Sequence, residues 1–204
     1  MPHRHGTDEG LHHLSDTRLF DERRRALEEA FFRKQEARLQ ERLHEKHEHD
    51  AARDALASRC GISDAALLDR LVDLGIRAET VDALVLVPLA AVAWADGKID
   101  PRERDAILRG ADAAGIAKDS PSHALLEAWT HERPEPALLD AWRDYVHALG
   151  SSLSAEQVRH LAEQVLGKAR AVAEAAGGFL GIASVSKREE AVLAELAAAF
   201  RAER

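Results

Sequence analysis

The chain has 204 residues and a mass of 22.4 kDa, enough for one good-sized domain with an extension and a real core. Its net charge of −8 leaves no surplus of Lys and Arg to neutralise phosphates, so no nucleic-acid partner is expected. A single cysteine, Cys60, excludes an intramolecular disulfide framework and any multi-cysteine metal site, and fits a reducing compartment.

Residues 1 to about 13 are polar, His-rich and without periodicity, the pattern of a disordered tail, and they lack the apolar run of a secretory signal. A cytoplasmic location is expected. From Ser15 to about Ser58 there is no Gly or Pro, and charges of both signs alternate among strong helix formers, which predicts one long helix. Its apolar positions Leu27, Phe31, Leu39 and Leu43 form only a thin stripe. With Phe32 they are the candidate residues for docking onto a protein partner or a second copy of the chain.

Gly61-Ile62-Ser63 supplies a stop and a cap, and Leu67, Leu68, Leu71, Val72 and Leu74 before Gly75 predict a short amphipathic helix. A third helix is expected from about Glu79 to Ala95, buried on most sides, with Pro88 kinking or breaking it. The apolar run from Ala83 to Ala95 is too short to span a bilayer, so no membrane span is expected. A fourth helix starts at Asp100-Pro101 and stops at Gly115. Two more are predicted near residues 122–131 and 136–149, with Trp129 and Trp142 as core pieces. A seventh opens at Ser154 and runs into Gly177-Gly178, and an eighth starts at about Lys187. Nothing alternates with period two for long enough to make a strand.

Sliding the chain against itself by 86 residues places Ile99 on Val185, Glu103 on Glu189 and Ile107 on Leu193. Each copy reads as an apolar helix, a loop, a capped turn and an amphipathic helix. The fold class expected is therefore all-α: a bundle of seven to eight helices built around two related hairpins, preceded by the long charged helix. The division along the chain is a tail over 1–13, the long and short helices over 14–76, and a helical domain over 77–204. Asp96 and Asp100 of the first copy become Ile182 and Ser186 in the second, so carboxylate chemistry is confined to the first loop.

That loop, Asp96-Gly97-Lys98-Ile99-Asp100-Pro101-Arg102-Glu103, holds three carboxylates within eight residues at a helix start. Hard cations favour such oxygen clusters. In an EF-hand register the first and third ligand positions fall on Val92 and Trp94, which excludes an ordinary EF-hand. Two readings stay open. Asp100 as N-cap, Pro101 at the first helical position and Glu103 three residues after the cap form a capping box, and Asp96-Gly97 is turn chemistry. Alternatively Asp96, Asp100 and Glu103 hold a divalent cation. Asp96 discriminates between them, because capping leaves it only a turn role.

His44 and His47 stand three residues apart on the long helix, with Glu48 and His49 beside them, and read as a solvated face. There is no Gly-rich phosphate loop, no nucleophile elbow, no HExxH pair and no Cys/His signature. No enzymatic activity is expected.

The stretch from Val87 through Trp94-Ala95-Asp96-Gly97-Lys98-Ile99-Asp100-Pro101-Arg102-Glu103 resembles the TerB family, associated with tellurite resistance and found as the N-terminal domain of the DjlA co-chaperone. The resemblance covers about residues 78–203. It implies an all-helical, non-enzymatic module linked to stress response, with a divalent cation at Asp96, Asp100 and Glu103. The segment from Phe20 to Phe32, continuing to Leu74, is faintly similar to the zeta inhibitor of alphaproteobacterial ATP synthase. That similarity implies an inhibitory helix acting on an ATPase.

Overall fold

The computed structural model describes the backbone of residues 9–176 and 185–201, with the side chains of 23–25, 27–175 and 185–201. Among them are eight α-helices, one 3-10 helix and no strand: α1 (Glu9–Cys60), α2 (Ala65–Asp73), the 3-10 turn (Val81–Leu86), α3 (Val87–Ala93), α4 (Pro101–Ala113), α5 (Pro121–His131), α6 (Pro136–Gly150), α7 (Ala155–Ala176) and α8 (Lys187–Ala199). The all-α bundle expected from the periodicity is what the chain forms. The long helix starts at Glu9, so residues 9–13 are helical; the rest of the expected tail, residues 1–8, lies outside the described residues.

The chain divides into two compact units, Met1–Glu48 and His49–Arg204. In the first, every described side chain from residue 23 to 48 is exposed. Intrahelical pairs such as Arg24 with Glu28 (4.0 Å) and His44 with Glu48 (3.2 Å) lie along it.

In the second unit the last turns of α1 pack with the rest. Leu56 is fully buried, His49 Nε2 meets Asp73 Oδ1 at 3.0 Å, Arg53 reaches Asp69 at 3.4 Å and Arg59 reaches Asp82 at 3.1 Å. Thus α2, grouped with the long helix in the sequence reading, belongs to this unit, buries Leu67, Leu68, Leu71 and Val72, and packs on α6. An ion pair between Arg70 and Asp144 joins the same two helices.

Pro88 has the effect its chemistry requires. It cannot donate to an α-helical ladder from an interior position, so the apolar stretch begins as a 3-10 turn and becomes α-helical only at Val87, with Pro88 in the first turn. The resulting α3 is short and buried on nearly every side, packed against α7, α8 and α6. Two helices stop by the same device. Gly75 and Gly115 take left-handed φ of 81° and 79°, letting Ile76 and Ile116 N–H donate back to Leu71 and Ala111 carbonyls at 2.9 and 3.1 Å. Trp129 and Trp142 are both core residues, and Trp142 meets the Phe200 ring edge-on at 5.7 Å.

Candidate functional site: paired helix caps and an exposed apolar row

Helix α4 is capped as its sequence dictates. Asp100 Oδ1 accepts the Arg102 N–H at 2.8 Å, and Glu103 Oε2 reaches back to the Asp100 N–H at 2.7 Å, completing a capping box with Pro101 in the first turn. Helix α8 repeats the arrangement: Ser186 Oγ accepts the Glu189 N–H at 3.2 Å and Glu189 Oε2 accepts the Ser186 N–H at 2.6 Å. The two helices have equal length, Lys187 and Ala199 standing 86 residues on from Pro101 and Ala113. The offset found in the sequence carries one helix with its cap onto the other. Ile182, the counterpart of Asp96, lies outside the described residues.

Capping glutamates are ordinarily wetted, yet Glu103 is 4% and Glu189 7% exposed. Burial pushes the Glu103 carboxyl up to about 7, opposed by the hydrogen bond from Asp100 N–H and reinforced by the negative charges of Glu189, Asp96 and Asp100. The two copies therefore bring their glutamates within electrostatic reach of each other. The alignment of Glu103 with Glu189 was the signal for this; what sequence reasoning missed is that both carboxyls lie inside.

Asp96 behaves differently. It is exposed, and its Oδ1 accepts the Lys98 N–H at 3.3 Å around Gly97, whose φ is 95°. Of the three carboxylates singled out for a cation, Asp100 and Glu103 are thus engaged as caps and Asp96 forms the turn. Among the described residues no group of three or more His, Cys, Asp or Glu side chains is placed to hold a metal ion. The histidines separate as well: His44 pairs with Glu48, whereas His49 sits between Asp73 and Asp69, with Nδ1 3.8 Å from the latter.

Cys60 ends α1, half-buried, and burial raises its thiol above the usual range while the neighbouring Arg59 opposes the shift. A thiol held protonated is a poor nucleophile. Burial also pushes the nearby Tyr145 hydroxyl up to about 12.

The remaining candidate surface is on the first unit. Among the described residues the large apolar side chains left exposed are Leu27, Phe31, Phe32, Leu39 and Leu43, with Val85 the lone example elsewhere. Phe31 and Phe32 meet edge-on at 6.0 Å. Leu27, Phe31, Gln35, Leu39 and Leu43 succeed one another at steps of four, and at ~100° per residue this row turns by about 40° per step. Its four apolar members, Leu27, Phe31, Leu39 and Leu43, form an oblique row in place of a straight coiled-coil seam, with Phe32 one position to the side of it.

Compared with known proteins, the chain matches no family model, no curated protein and no solved structure. Among the described residues no helix is long and apolar enough to cross a membrane.

Proposed function

We propose that the protein is a non-catalytic, TerB-like helical binding module of the stress-response kind, whose N-terminal helix engages a protein partner through Leu27, Phe31, Phe32, Leu39 and Leu43. The observation that carries this reading is the concentration of exposed large apolar side chains on one stretch of α1, five there against one elsewhere among the described residues. Apolar surface gathered in this way marks an interaction site, whereas scattered single residues need no explanation. The oblique row suits a partner helix that crosses α1 ridge into groove. A partner running alongside would need a strict heptad, which the row does not follow. The paired caps of α4 and α8 belong to the His49–Arg204 unit, and the cation expected at Asp96, Asp100 and Glu103 forms no part of this reading.

The experiment compares what the full chain retains from its native cells with what a Leu39→Glu, Leu43→Glu variant retains, an untagged second copy of the chain included. A protein held by the wild type and lost from the variant is the expected result. Equal retention by both overturns the proposal.

A further inference from the structure

We draw no further inference here: the strongest candidate, the exposed apolar row of α1 within residues 27–43, belongs to the site already described, and nothing in the structure shows what covers it.

Discussion

Glu103 is a carboxyl group with two duties that pull against each other. As a cap it accepts the Asp100 N–H, which favours the ionised form, while its burial near Glu189 and Asp96 favours the protonated one, and burial wins. Unfolded, the same group titrates near 4.5; folded, near 7. The folded state thus holds the proton more tightly, and its advantage is complete below pH 4.5 and is lost as pH rises through 7. The full span amounts to about 3 kcal/mol as an upper figure. Glu103→Gln keeps an oxygen for the Asp100 N–H and removes the charge. We expect the variant to match the wild type in urea melts near pH 4.5 and to exceed it by ~1 to 3 kcal/mol at pH 8. Parallel curves at the two pH values would show that the carboxyl is wetted in solution.

At the scale of elements, α3 and α4 meet where a glycine permits it. A Cβ on Gly110 would stand 2.8 Å from Leu89 Cδ2, and Leu89 is fully buried, so its side chain must shift within a packed core to admit the methyl. Helix propensity alone would make Gly110→Ala stabilising by up to ~1 kcal/mol. The close approach reverses the sign, and the expected outcome in thermal melts is a loss of ~1 to 3 kcal/mol. Gly167, inside α7 with open space around its Cα, supplies the control: Gly167→Ala is expected to gain ~0.5 to 1 kcal/mol. Should both substitutions stabilise, α3 and α4 would not be packed as described. Removing the caps tests the repeat in the same way, Asp100→Ala and Ser186→Ala each costing ~1 kcal/mol in the same melts.

These elements also show what a sequence can disclose. Caps and stops were legible because a few residue types fix the backbone locally: Asp100-Pro101 with Glu103, Gly115 with Ile116, and Pro88 inside an apolar stretch. Of the candidate site, the Asp100–Glu103 pairing and the thin apolar stripe of α1 could be read in advance. The depth of Glu103 could not, because burial of a capping carboxyl depends on which helices close over it. His49 was likewise illegible: its carboxylates, Asp69 and Asp73, lie on another helix some twenty residues further along the chain. No spacing within α1 announces that pairing.

On the scale of the whole molecule, the two compact units differ in what holds them. The core belongs to His49–Arg204, with Leu56, Leu71, Leu84, Leu89, Ile107, Leu126, Trp142 and Leu196 buried within it. Residues 23–48 hold a helix whose described side chains are all exposed. Lone helices gain little from such intrahelical pairs, a few tenths of a kcal/mol each. A fragment comprising residues 49–204 is therefore expected to melt cooperatively within a few degrees of the full chain, and a fragment lacking tertiary structure would contradict the division at Glu48. In hydrogen exchange of the free protein, amides of 23–45 should exchange well before those of α3 and α7.

The apolar row of α1 is tested most directly by quantitative co-purification of the tagged full chain from its native cells, wild type against Leu39→Glu, Leu43→Glu, with an untagged second copy present. Each leucine buried on binding contributes about 1.5 kcal/mol or more, so their joint loss should weaken association at least a hundredfold. We predict a protein, or the second copy itself, retained by the wild type and absent from the variant, with the melting of the 49–204 body unchanged. Identical retention by both proteins would contradict the assignment of this helix as the binding element.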